Sequence, residues 1–241
     1  MEQSDNILTV KHLKKSYKTS SGAIDVLKDV NLSLGNGVTA ILGPNGAGKT
    51  TLIKICTDLL NFDEGQVAYC GKDLKSMTKK EKSQTFSLLS EGSRNLYYKL
   101  TPLENIKYFA TLRGLSFETI KEYSLNLFQK LNLYEKKNEM VENLSRGMQQ
   151  KVAVVCALSM NTPVTFLDEP TLGLDMESSI NLSKFLRSPE FTSNRSIIIT
   201  SHDFSFIENT ATQIYKLQGG MMIEKQEFGE SDDTFIIRIN H

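Results

Sequence analysis

The sequence has no tryptophan, and only five prolines, three histidines and three cysteines among 241 residues. Cys56, Cys70 and Cys156 are scattered, odd in number and without histidine at ligand spacing. This argues against a disulfide framework and a zinc site and fits a reducing cytoplasm. No stretch approaches the roughly 20 apolar residues of a membrane span; runs such as VAVVCAL from Val152 fall well short. The opening MEQSDNILTV has neither a basic n-region nor an apolar h-region, so no secretory signal is expected. An excess of charge is missing too: Lys+Arg 28 balance Asp+Glu 28, and no basic block marks a nucleic-acid footprint.

What is present is enough apolar sequence, 39%, to supply a core and exclude general disorder. Residues Ile7–Leu13 and Val26–Leu34 alternate in the strand period. GNG at Gly35–Gly37 is a turn into the apolar strand VTAIL. A helix is expected over Lys49–Leu60, with strands near Gln66–Cys70 and Phe86–Ser90. A helical middle follows, opened by TPLE: Thr101 caps, Pro102 takes the first helical position and Glu104 completes a capping box. From Val164 the alternation resumes, with VTFLD a buried strand, Glu177–Arg187 a helix and SIIITS a second buried strand. Such βαβ order implies a parallel sheet wrapped by helices, with ligands at the carboxyl ends of its strands.

The strongest motif is GPNGAGKT, Gly43–Thr50, a full P-loop pattern between a strand and a helix. Gly46 and Gly48 let the backbone curl until successive N–H groups point at phosphate oxygens. Lys49 reaches the outer phosphates and Thr50 offers a hydroxyl to Mg²⁺. The expected ligand is a nucleoside triphosphate. VTFLDEP, Val164–Pro170, ends a strand on two acids: Asp168 is suited to hold Mg²⁺ through water, and Glu169 to orient or deprotonate the attacking water. Read alone, DEP is equally an acidic turn. In NLSRGMQQKV, Asn143–Val152, Ser145 can accept from free backbone N–H groups, Gly147 leaves the backbone bare and no carboxylate stands in the first turn. This is an anion socket, or else an ordinary helix cap.

Together these stretches resemble the nucleotide-binding subunit of an ATP-binding cassette (ABC) transporter, over essentially the whole chain. The resemblance makes Gly43, Pro44, Asn45, Gly46, Ala47, Gly48, Lys49, Thr50 and Thr51 the Walker A, Val164–Asp168 the Walker B with Glu169 its catalytic glutamate, and LSRGM, Leu144–Met148, the signature. It implies a D-loop aspartate at Asp175, a switch histidine at His202, in contact with the γ-phosphate, and an adenine-stacking aromatic at Tyr17. Tyr17 is otherwise an ordinary tyrosine, and His202 a satisfied core residue. The implied fold is α/β: a P-loop NTPase (RecA-like) parallel-sheet core with an N-terminal antiparallel β subdomain and an inserted α-helical subdomain. Its cassette would span 7–225, with the insertion at about 92–160 and a tail of unassigned role at 226–241.

Two copies would pack head to tail, Ser145 and Gly147 of one closing on the γ-phosphate held by the other's P-loop, with ATP and Mg²⁺ as cofactors. Two departures stand out. Glu91 occupies the place of the Q-loop glutamine and would ligate Mg²⁺ as a carboxylate, Gln84 lying too early in the strand. Arg146 and Met148 replace the usual glycine and glutamine of the signature, Arg146 either adding positive potential or simply being solvated. EGSR…LYYKLTPLENI and RGMQQK are similar to the ATPases of two-component bacterial exporters of drugs, antibiotics and peptides. The channel would then be a separate polypeptide docked on the region around Glu91–Leu115, with Tyr97, Tyr98, Leu100 and Phe109. That places the chain in the cytoplasm, peripheral on the inner face of the membrane, with no nucleic acid partner. The competing class is a soluble ABC ATPase acting on ribosomes or DNA, and a single cassette favours transport. A P-loop kinase or small GTPase has no use for the LSRGM socket.

Overall fold

The computed structural model describes residues 6–20, 22–92 and 95–227. The first five residues, Ser93 and Arg94 of the EGSR stretch, and the strand-like ending expected within 228–241 lie outside the described residues.

Ten strands form one sheet in the order β5-β4-β1-β2-β10-β9-β3-β8-β7-β6. Its amino-terminal half is antiparallel: β1 (Leu8–Thr19) pairs with β2 (Gly22–Leu34) on one side and β4 (Glu64–Tyr69) on the other, and β5 (Lys72–Asp73) ends the row. The other half is parallel, with β3 (Gly37–Leu42) between β8 (Ser196–Thr200) and β9 (Gln213–Gln218), then β7 (Val164–Asp168) and β6 (Phe86–Leu89). β10 (Met221–Glu227) runs antiparallel to β9 and touches β2, joining the halves.

The central strands are buried on both faces, which is why they read as unbroken apolar runs. Phe166 and Ile198 point to one core with Leu52 and Ile53 of α1 (Lys49–Cys56), while Leu167, Ile197 and Ile199 point to a second core. That second core is filled by α3 (Pro102–Leu112), α4 (Phe117–Lys130) and α5 (Arg146–Ser159), the helices inserted between β6 and β7. Each fully buried side chain of this size contributes about 1.5–3 kcal/mol, and α6 (Met176–Arg187), α7 (Pro189–Thr192) and α8 (Phe204–Thr210) complete the cover.

The capping box expected at TPLE is present, Thr101 accepting from Glu104 N and Glu104 from Thr101 N. Three expectations need correction. The helix after the P-loop stops at Cys56 rather than Leu60, because Asp58 turns left-handed at φ 61°. A helix, α2 (Lys79–Thr85), precedes β6, so Gln84 lies in a helix and not in the strand. Both strands of the first hairpin run longer than their alternation marks, to Thr19 and from Gly22.

Candidate nucleotide site

The loop between β3 and α1 is built around its glycines. Gly46 has φ 79° and Gly48 φ 106°, a left-handed region that favours glycine. A Cβ on Gly48 would meet Leu27 Cδ2 at 2.8 Å and Val26 O at 3.1 Å, and one on Gly43 would meet Leu217 O at 2.3 Å. Gly48 is also the N-cap of α1, with no side-chain cap and no acid in the first turn. The free N–H groups and positive dipole end are therefore left for an anion. Lys49 is buried beneath them, its Nζ donating to Gly43 O at 2.6 Å and Pro44 O at 3.2 Å.

Next to this cradle, β7 ends on Asp168, 4% exposed. One carboxylate oxygen accepts from Thr50 Oγ1 at 3.1 Å, and Thr200 Oγ1 donates to the other. Glu169 follows with φ 51°, its N–H on Thr200 O. That twist turns its side chain into the cleft rather than along the strand. One oxygen accepts from the His202 N–H at 3.3 Å; the other, Oε1, is buried without a hydrogen-bond donor, with His202 Nε2 at 3.4 Å but not aligned. Asn45–Thr51, Val26, Glu91, Asp168, Glu169 and His202 together line a cleft of about 400 Å³.

Burial raises the Glu169 pKa above the ordinary glutamate value; the nearby His202 and Lys49 oppose the shift, and Asp168 adds to it. Above this raised pKa the ionised carboxylate costs the folded state stability. As pH falls through it, the proton binds and the cost disappears. Glu169→Gln is therefore expected to raise the melting temperature of the nucleotide-free protein at neutral pH, with the gain shrinking on acidification. A fall at neutral pH would contradict this.

Ser145, Gly147 and Asp175 stand outside the cleft. Ser145 caps α5, accepting from Met148 N at 3.3 Å, and no acid occupies the first turn. Gly147 lies against the loop before α6, where an added Cβ would come within 3.1 Å of Gly173 O. Asp175 caps α6 by accepting from Ser178 N at 2.7 Å, a bond that lowers its pKa. Arg146 is exposed and makes no ion pair among the described residues. Tyr17 does not line the cleft. It sits on β1 opposite Ile24, with Lys15 Nζ 5.6 Å from its ring centre. The hairpin instead presents Val26 to the cleft, a residue whose strand alternation carried no sign of this.

Two further residues escaped the sequence reading. Thr200 holds Asp168 and the Glu169 backbone, and Gln150, buried on α5, donates to Glu169 O and Pro170 O at 3.2 Å each. Gln150 thus ties the socket helix to the turn that carries Glu169. The second Q after RGM was visible, but nothing local in the sequence says what it reaches.

The comparisons agree with this geometry. The lantibiotic transport ATP-binding protein SrtF of Streptococcus pyogenes is 31% identical over 228 residues, covering 94% of this chain and 93% of the relative. The SkfA peptide export ATP-binding protein SkfE of Bacillus subtilis is 29% identical, covering 90% and 88%. Among solved structures, the dimeric bacterial ABC transporter cassette MJ0796 superposes with a TM-score of 0.82 at 25% identity, covering 92% of this chain and 99% of that one. Its post-hydrolysis state bound to ADP and Pi superposes with 0.78 at 25%. The family model described as ABC transporter matches residues 27–172, from the hairpin beside the phosphate cradle to the turn after Glu169. With more than half of its length in that match and the cradle, the strand-end acids and the capped socket all in place, this chain belongs to the ABC transporter family and is a transport-powering, ATP-binding and ATP-hydrolysing subunit.

Proposed function

We propose that two copies of this chain clamp two ATP molecules head to tail and power export of a drug, antibiotic or peptide through a separate membrane-spanning subunit. The observation that carries this is the division of the anion-binding groups. Lys49 and the free amides of α1 face the cleft, while the capped, acid-free terminus of α5 stands outside it. The second socket therefore serves a phosphate held by another copy. ATP then binds the closed pair better than the open one, and its hydrolysis removes that preference. Driving such a pair from mostly open to mostly closed takes about 5.5 kcal/mol of differential binding.

In the cleft Lys49 would bind the outer phosphates, and Glu169, whose Oε1 lacks a donor, would take the proton of the attacking water. His202, its side chain 56% exposed beside Glu169, would sit against the γ-phosphate. Asp168 and the Thr50 hydroxyl fit Mg²⁺, a hard ion that keeps several waters and needs few protein oxygens; Glu91 joins them from the cleft wall. Among the described residues no group of three acids, histidines or cysteines could hold a metal alone, in keeping with an ion shared with phosphates. When bound, Mg²⁺ would neutralise charge on the β- and γ-phosphates.

The membrane-spanning partner would dock on a groove of about 550 Å³ between β6 and the inserted helices, lined by Leu88, Leu96, Tyr97, Phe109 and Met160. Tyr97, its ring packed on Tyr108 and its hydroxyl bonded to that of Tyr108, is exposed at the rim. No described helix is long and apolar enough to cross a membrane, so a separate channel places this chain on the inner membrane face. The relatives that transport a lantibiotic or export SkfA support the exporter reading. The test is purification of the tagged chain from its own membranes. A polytopic protein should come with it and be lost in Tyr97→Glu, whose ATP affinity stays unchanged. Recovery with ribosomes or DNA instead would favour the soluble class.

A further inference from the structure

Glu169 holds a backbone conformation that its residue type does not favour. Six described residues other than glycine have a positive φ. His12, Asp58, Asn132 and Asn161 are of the types that tolerate it, whereas Glu169 and Cys70 are not. Glu169 is restricted further by Pro170, whose ring pushes the residue before it toward extended backbone. Such a conformation persists only where its surroundings over-determine it.

Two residues hold the turn from opposite sides. The Glu169 N–H donates to Thr200 O at 3.1 Å and to Thr200 Oγ1 at 3.2 Å. Behind it, Gln150 Nε2 donates to Glu169 O and to Pro170 O at 3.2 Å each. The amide nitrogen has two hydrogens, one for each carbonyl, and the amide oxygen in its place would face two acceptors. Thr200 also donates to Asp168, so its loss would disturb both acids together. Gln150 has no such second duty. It is 2% exposed, it does not line the cleft, and among the described residues its side-chain hydrogen bonds go to this turn alone.

We propose that Gln150 is a positioning residue for hydrolysis: its amide holds the Glu169 peptide in the left-handed turn and so keeps the carboxylate, whose Oε1 lacks a donor, aimed at the attacking water. The inference rests on the assignment of Glu169 as the base. Gln150 works from behind, on the main chain of Glu169, and does not meet the nucleotide. It belongs to α5, five residues past Ser145, so the base of each chain is held by the helix that carries that chain's own socket.

The test is a double-mutant cycle between Gln150→Met and Glu169→Gln in the full chain, read by ATP titration and single-turnover phosphate release. Methionine matches glutamine in length and has no N–H to give. Gln150→Met should bind ATP like the unsubstituted chain and lose at least about tenfold in turnover, since a misplacement of about 1 Å can cost about 10²-fold. In the Glu169→Gln background the same change should cost nothing more, because the base it positions is already gone. The double variant should also sediment as Glu169→Gln does in saturating Mg·ATP. An equal loss in both backgrounds, a parallel loss of ATP affinity, or a double variant that no longer pairs where Glu169→Gln pairs would give Gln150 a general packing role and overturn the inference. If melting curves show that methionine disturbs the fold, Gln150→Asn, which keeps the amide but ends one methylene short, takes its place in the cycle with the same expected results. Full turnover in Glu169→Gln would remove the base and this inference together. A loss there with unchanged turnover in the Gln150 variant leaves the base in place and overturns this inference alone.

Discussion

Replacing Glu169 by glutamine should lower ATP turnover about 10²- to 10⁴-fold, the range typical of a lost general base, while ATP binding persists. The geometry behind this is specific. The left-handed backbone at Glu169 aims the side chain into the cleft, and the Thr200 carbonyl and Gln150 fix the peptide on either side. Burial raises its proton affinity toward what a base needs at neutral pH. A glutamine fits the same space and can still accept from the His202 N–H, but it takes no proton. Steady-state phosphate release with a parallel ATP titration gives both numbers, and turnover near the unsubstituted rate would remove Glu169 from its role.

Lys49→Ala should act on binding instead, weakening ATP about 10- to 100-fold, since a charge-assisted hydrogen bond in a buried setting is worth about 1.5–3 kcal/mol. The ammonium lies beneath the loop, between the carbonyls of Gly43 and Pro44, where it can reach an outer phosphate with little rearrangement. Alanine removes that charge and the ammonium donor to Gly43 O, while Pro44 O keeps the Ala47 N–H. Titration of the variant with ATP and ADP should show the larger loss for ATP. Equal, unchanged affinities would mean that Lys49 is structural.

Much of this was legible locally. The P-loop, the strand-end acids and the caps at Thr101 and Ser145 depend on neighbours within four residues, and the structure reproduces each of them. The capping box at Thr78 and Glu81 that starts α2 was equally readable, but the lysine-rich TKKEKSQT offers no apolar stripe to draw the eye. Residues whose partners lie far along the chain were not legible. Val26 meets the P-loop, Thr200 meets Asp168 and Gln150 meets Glu169 only after the sheet has assembled. Tyr17 was placed by resemblance alone: the hairpin register sets it opposite Ile24, and nothing among its sequence neighbours marks it as a base-stacking residue. The end of α1 is a backbone event at Asp58 that helical periodicity does not register.

The proposed mechanism rests on the division between a cleft suited to phosphate and a socket that stands outside it. Sedimentation of Glu169→Gln at saturating Mg·ATP tests it most directly, with Ser145→Arg added in a second sample. A dimer carrying two nucleotides in the first, and a nucleotide-bound monomer in the second, are the predicted results. A monomer in the first sample, or an undiminished dimer in the second, would contradict the account.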